Sequence, residues 1–174
     1  MAGHSHWAGI KHKKGVADQK RGILFSKLLR AISAAAKQEP NPQFNPRLKT
    51  AIEKAKENQV PQDKIESAVK RAAEATNDLE ELIIESYGPE GTAILIEAIT
   101  DNKNRTVSEI KKILNENNAK IAEPGSVLWA FENKSGDWQA KFKQEISNEA
   151  KDRLQNLISK LEENDDVQKI HVNL

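Results

Sequence analysis

The sequence predicts an α+β protein: an N-terminal three-helix domain followed by a small β-β-α-β-α-β domain with an antiparallel or mixed sheet. Three observations predict it. Apolar residues recur at helical spacing through the first 75 residues, the period turns strand-like near residue 82, and the charge changes sign between the two stretches. Residues 1–75 hold 15 basic and 7 acidic side chains, and residues 76–174 hold 12 and 19, so +8 and −7 combine into a net +1. The expected division is a basic unit over residues 1–77 and an acidic unit over 78–174. A chain of 174 residues is long enough for two small domains.

In the first unit, Gly3, Gly9 and Gly15 predict an irregular arm over residues 1–15. From about Ala17 the spacing is helical. Phe25, Leu28, Leu29, Ile32 and Ala36 share one face, with Lys20, Arg21, Lys27 and Arg30 toward the others. Pro40, Pro42 and Pro46 end this helix. Asn45 before Pro46 reads as an N-cap followed by proline at the first helical position. Leu48, Ile52 and Ala55 form the stripe of a second helix that ends near Asn58. Pro61 opens a third, with Ile65, Ala68, Val69 and Ala72 inward.

Residues 76–80 form a polar link. Leu82–Tyr87 alternates as a strand, Gly88-Pro89-Glu90-Gly91 turns, and Thr92–Thr100 is a second, apolar strand, so the pair reads as an antiparallel hairpin. Thr106–Asn117 is a helix with Val107, Ile110, Ile113 and Leu114 buried and Asn104 as its candidate cap. Ser126–Phe131 is expected to be a third strand. Residues 132–144 carry no clear period. Residues 145–162 are helical, and Val167–Val172 is a closing strand. One face of the sheet should lie under the helices, the other being open or used for domain contact.

The first 37 residues carry eight Lys/Arg and one acid. Such a concentrated charge on a polar segment points to a polyanion, since each neutralised phosphate releases counterions. The candidate nucleic-acid contacts are His4, Ser5, His6, Trp7, Lys11, His12, Lys13, Lys14, Lys20, Arg21 and Lys27. Trp7 either stacks on a base or ribose or pins the arm to a domain. His4, His6 and His12 have imidazoles that could bind zinc, but glycine-rich surroundings and the absence of cysteine argue against a closed site, and no metal is expected. Arg105, in Asp101-Asn102-Lys103-Asn104-Arg105-Thr106, is a further candidate for phosphate at a helix start; the alternative is a loop with a capping residue. Trp129 is expected in the core or at a domain interface.

No cysteine is present, so disulfides and thiolate chemistry are excluded. No phosphate-binding loop, dinucleotide fingerprint, zinc-protease or nucleophile-elbow motif occurs. No catalytic residue, no enzyme activity and no cofactor are expected. The N-terminus lacks an apolar targeting segment and no stretch could span a bilayer, so a cytoplasmic protein without membrane association is the expectation.

The stretches MAGHSHWAGIKHKKGVADQKRGILFSKLLRAISAAAK, NPRLKTAIEKAKENQVPQDKIESAVKRA, ESYGPEGTAILIEAITDNKNRTVSEIKKIL, GSVLWAF and LISKLEENDDVQKIHVNL resemble the YebC/PmpR family over nearly the whole chain. That family's mitochondrial relative is the translational activator of cytochrome oxidase subunit one. The resemblance implies a regulator without catalysis that faces RNA or DNA. It places nucleic-acid contact on Gly3, His4, Ser5, Trp7, Ile10, Lys11, His12, Lys14, Asp18, Lys20 and Arg21, with Tyr87-Gly88-Pro89 and residues 101–106 serving the same surface. The family usually carries a further α+β domain inserted in its second; here that domain is expected to be absent or reduced to residues 133–148.

Three functions follow as expectations. The first is a ribosome-associated translation factor contacting rRNA or tRNA through the arm, whose glycine-punctuated form suits irregular RNA better than a groove-reading helix does. The second is a regulator that binds promoter DNA, and the third a protein-interaction module. The chain is expected to be a monomer.

Overall fold

The computed structural model describes residues 4–74 and 79–174, with side chains from Val16 onward. The chain divides into two compact units, residues 1–75 and 76–174.

The first unit contains α1 (His4–Ala36), α2 (Pro46–Glu57) and α3 (Gln62–Glu74). Leu28, Ile32, Ala35 and Ala36 of α1 pack with Leu48 and Ala55 of α2 and Ile65 and Ala68 of α3, with Val60 closing the α2–α3 turn. Alanines at half of these contacts let the helices approach closely, at the expense of apolar area. Asn45 ties the unit together. Its side-chain oxygen accepts from the Leu48 amide at 3.0 Å, and its Nδ2 donates to the carbonyls of Ala35 at 2.9 Å and Glu39 at 2.8 Å. One buried amide thus caps α2 and satisfies the end of α1.

The arm departs from expectation. Residues 4–15, read from sequence as irregular, continue α1 as helix. Glycine costs a helix about 1 kcal/mol relative to alanine, which weakens a turn without ending it. Once the packed stretch from Phe25 onward has formed, each added residue gains a backbone hydrogen bond with no further nucleation.

The second unit contains β1 (Glu80–Tyr87), β2 (Ala93–Thr100), α4 (Lys103–Glu116), β3 (Lys120–Ile121), β4 (Phe131–Lys134), β5 (Asp137–Ala140), α5 (Asn148–Glu162) and β6 (Val167–Val172). Four strands form an antiparallel sheet in the order β3-β1-β2-β6, and β4 and β5 form a separate hairpin. The first hairpin pairs Glu80 with Thr100 through to Tyr87 with Ala93. Its turn is a short 3-10 segment, Pro89–Gly91, with Glu90 at φ +54° and Gly91 at φ +76°. Ile84, Ile94 and Ile96 meet Ile110 and Leu114 of α4 and Leu154, Leu157 and Leu161 of α5 in the main core. The reverse of β2, Ala93 and Leu95, packs on Val127, Ala130 and Phe131 in a second, smaller cluster. Burial on both faces explains why β2 reads as a continuous apolar run.

Three local expectations change. The cap of α4 is Asn102, not Asn104: the Asn102 side chain accepts from the Arg105 amide at 3.1 Å, and the helix starts at Lys103. Residues 126–131 are not a strand. Glu85, only 8% exposed, points from β1 toward this segment and accepts from the amides of Gly125, Val127 and Leu128, the last two at 2.8 Å. Amides converging on one carboxylate cannot alternate along a ladder, so the chain makes a 3-10 turn at Leu128–Ala130 and extends only from Phe131. Trp129 is consequently turned outward and is 62% exposed, where core or interface burial was expected. Third, residues 132–140 form the β4–β5 hairpin, closed by Ser135 at φ +55° and Gly136 at φ +87°. A two-residue turn with both residues at positive φ matches the twist of its strands.

Asn45→Ala should lower the stability of the first unit by about 2 kcal/mol, read by urea denaturation. Asn45→Asp keeps the capping oxygen, loses the amide donor, and should not restore wild-type stability. Burial by itself raises the Glu85 pKa, yet the amides of Gly125, Val127 and Leu128 hold it below its ordinary 4.5. A depressed carboxylate stabilises fully above its unfolded pKa and loses that contribution as pH falls through the folded one. Glu85→Gln should therefore cost about 2–3 kcal/mol at pH 7, and the gap to wild type should shrink as pH drops below 4.5.

Candidate nucleic-acid interface

The positive charge of the first unit begins on α1. Every residue of Val16–Gly22 is exposed, and the helix enters the core only from Phe25 and Leu28. Lys20 and Arg21 therefore stand on a solvated stretch of helix that precedes the packed part. The Arg21 guanidinium lies 5.2 Å from the Phe25 ring centroid, a cation–π contact that steadies its direction. Lys27 lies about two turns beyond Lys20 and one beyond Leu24 along the same line of the helix and is half-buried. The side chains of His4, Ser5, His6, Trp7, Lys11, His12, Lys13 and Lys14 lie outside the described residues, although their backbone belongs to α1.

A further cluster escaped the sequence reading. Lys64, Lys70 and Arg71 of α3, with Ser67 and Glu74, line a shallow depression of about 450 Å³. The signal was present as three cations on the exposed side of one helix, but their neighbours Asp63, Glu66 and Glu74 neutralise them on paper and hide the local excess.

Arg105 has internal work. Its Nη2 donates to Asp101 at 2.8 Å, to Asp166 at 3.0 Å and to the Thr100 hydroxyl at 3.3 Å. Asp166 is 3% exposed and also accepts from the Thr106 hydroxyl, which lies 2.7 Å from that of Thr100. The hydrogen bonds to Asp166 and then to Asp101 raise the Arg105 pKa above its already high value. This cluster joins the end of β2, the start of α4 and the turn before β6. Of the residues 101–106 offered to phosphate by sequence, Asp101, Arg105 and Thr106 also hold three elements together through these bonds. Their guanidinium reaches for carboxylates because burial of Asp166 demands a cation.

The other motif residues are also tied inward. The Tyr87 hydroxyl donates to the Ser126 carbonyl at 3.2 Å, and Lys120 lies 5.7 Å from the Tyr87 ring centroid. Glu90 accepts from the Ser147 hydroxyl at 2.6 Å and its amide at 3.2 Å, so the Gly88–Thr92 turn is fastened to the start of α5, and those bonds lower the Glu90 pKa. His171 Nε2 lies 2.6 Å from Glu97. Among the described residues no group of three or more His, Asp or Glu is arranged to hold a metal ion, and no helix is long and apolar enough to cross a membrane.

Comparison with known proteins adds to this geometry. The profile of the TACO1/YebC protein N-terminal domain matches residues 5–75, and that of the TACO1/YebC second and third domain matches residues 79–136. A "Probable transcriptional regulatory protein" of Trichlorobacter lovleyi is 48% identical over 137 residues, covering 77% of this chain and 56% of that protein. One of Dehalococcoides mccartyi is 49% identical over 140 residues, covering 77% and 55%. The chain spans about half the length of the curated relatives it matches. A conserved hypothetical protein of Aquifex aeolicus, Aq1575, has a crystal structure similar to this one, with a TM-score of 0.83 and 31% identity, covering 97% of this chain and 96% of that one.

Arg105→Ala should lower the thermal midpoint by leaving the buried Asp166 short of its cation. A thermal midpoint equal to wild type would contradict this role.

Proposed function

The chain belongs to the TACO1/YebC family, and from that premise we propose that it is a non-enzymatic, nucleic-acid-binding regulator of gene expression: a ribosome-associated translation factor that grips rRNA or tRNA with the basic N-terminal stretch of α1. The observation that carries the reading is the solvated basic helix ahead of the packed core, with Lys20 and Arg21 exposed on it. Eight cations against one acid in 37 residues favour a polyanion over a neutral partner. Gly9, Gly15 and Gly22 lie inside that helix, each weakening it by about 1 kcal/mol relative to alanine, so the segment can be remodelled on an irregular RNA surface. Lys64, Lys70 and Arg71 extend the positive surface within the same unit.

Promoter DNA is the second reading, and the helix itself favours it. A helix fits the major groove of B-DNA, which an irregular arm would not. The relatives' names as probable transcriptional regulators point the same way. The match to the second-and-third-domain profile stops at residue 136, and the chain runs from the β4–β5 hairpin into α5. This supports reading the family's third domain as reduced or absent around residues 133–148.

Ribosome co-sedimentation at rising salt, run beside a gel shift on promoter DNA, separates the two. Replacing Lys11, Lys13, Lys14 and Lys20 by alanine should weaken either mode and flatten the salt dependence of log K by about 3, at roughly 0.7–0.9 for each phosphate no longer neutralised. Unchanged affinity and slope in that variant would remove both nucleic-acid readings and leave a protein-interaction module.

A further inference from the structure

We propose that Trp129 and Phe142 form a preorganised stacking platform for an unpaired nucleobase of a single-stranded nucleic acid, with Lys141 and Lys143 serving its phosphates. This rests on the nucleic-acid reading above and extends it to the acidic unit, where charge alone would place no such contact.

The two rings are 62% and 51% exposed and lie 5.5 Å apart between centroids, tilted by 46°. They are held although they are exposed. The Trp129 indole N–H donates to the Ser126 carbonyl at 2.7 Å, so its one polar group is satisfied and what faces solvent is ring. The amides of Lys141 and Phe142 both donate to the Ala130 carbonyl, at 2.8 and 3.2 Å, which fastens the segment bearing Phe142 to the turn bearing Trp129. The Phe142 carbonyl in turn accepts from Asn173 Nδ2 at 3.3 Å. Through Glu85 that turn is anchored to β1. With the Trp129 ring and the backbone that carries Phe142 held in advance, less ordering entropy is lost on binding.

The chemistry around the rings favours a base. Lys141 Nζ lies 5.4 Å from the Phe142 ring centroid, and Lys143 follows in sequence on an exposed position. Aromatic faces interleaved with cations are the pattern that takes successive bases and phosphates of a single strand. Among the described residues of this unit, Ile83 is the only other exposed large apolar side chain. The platform is thus of the size of a base and far below the roughly 800 Å² per partner of a stable protein interface.

The test uses the full chain with oligo(U) RNA, oligo(dT) DNA and a DNA duplex. Trp129→Ala with Phe142→Ala should weaken binding to the single strands by about tenfold or more, as loss of base–aromatic stacking does, without changing the salt slope or duplex binding. Which single strand suffers more identifies the sugar. Trp129→Phe should retain most of the affinity. Photocrosslinking of 5-bromouridine oligonucleotide to the wild-type chain should map to Trp129 or Phe142, and this map decides alone if the double substitution shifts the urea midpoint. Single-strand binding that is indifferent to both rings, with crosslinks elsewhere, overturns the platform and leaves the function above intact. Absence of any nucleic-acid binding by the wild type overturns both. Loss of self-association in the double variant, with nucleic-acid binding unchanged, would make the rings a protein contact and also overturn the platform.

Discussion

The second unit depends on one buried carboxylate. Glu85 sits on a strand whose alternation directs it away from the α4–α5 core and toward the 125–128 segment. Removing a carboxylate from water is unfavourable unless its lone pairs are filled, and three backbone amides fill them. Those amides belong to a segment with no ladder partner, so each side resolves the other's unmet hydrogen bonding. The 3-10 turn, the small cluster of Val127, Ala130 and Phe131 on the reverse of β2, and the outward direction of Trp129 all follow from this convergence.

Polar side chains perform the same service elsewhere. Asn45 joins two helices through three hydrogen bonds, and Asp166 gathers Arg105 and Thr106 from the start of α4. Asn173 continues the β2–β6 pairing, its side-chain oxygen accepting from the Ala93 amide at 2.9 Å. Hydrogen bonds are directional where hydrophobic contact is not, so a few buried ones fix register and orientation that alanine-rich or small cores leave loose.

What was legible in the sequence was local or periodic. Asn45 before Pro46 announces its cap within four residues, and the apolar run of β2 and the stripe of α5 announce themselves by spacing. What was hidden depends on partners distant in sequence. Glu85 in an alternating strand reads as a solvent-facing acid, because its amides lie 40–43 residues away. The ion pair of Arg105 goes unread, because Asp166 lies 61 residues away. With Glu85 unread, Ser126–Phe131 looks like a strand and Trp129 like core. The helical course of residues 4–15 was obscured by counting glycines as stops when the turns behind them were already nucleated. Of the candidate site, Lys20, Arg21 and Lys27 lie where helical spacing put them; the eight candidates from His4 to Lys14 have side chains outside the described residues, and the α3 cluster was concealed by interleaved acids.

The Ser135-Gly136 tip brings Lys134 and Asp137 into register as partners, so the chain leaves the β4–β5 hairpin and re-enters it at nearly one point. Such a point accepts guest polypeptide cheaply: lengthening a closed loop adds only about 0.6 kcal/mol per doubling. A fluorescent reporter with neighbouring termini could be grafted there while leaving the strand partners on either side in place, which offers a way to follow the protein in a living cell without tagging α1.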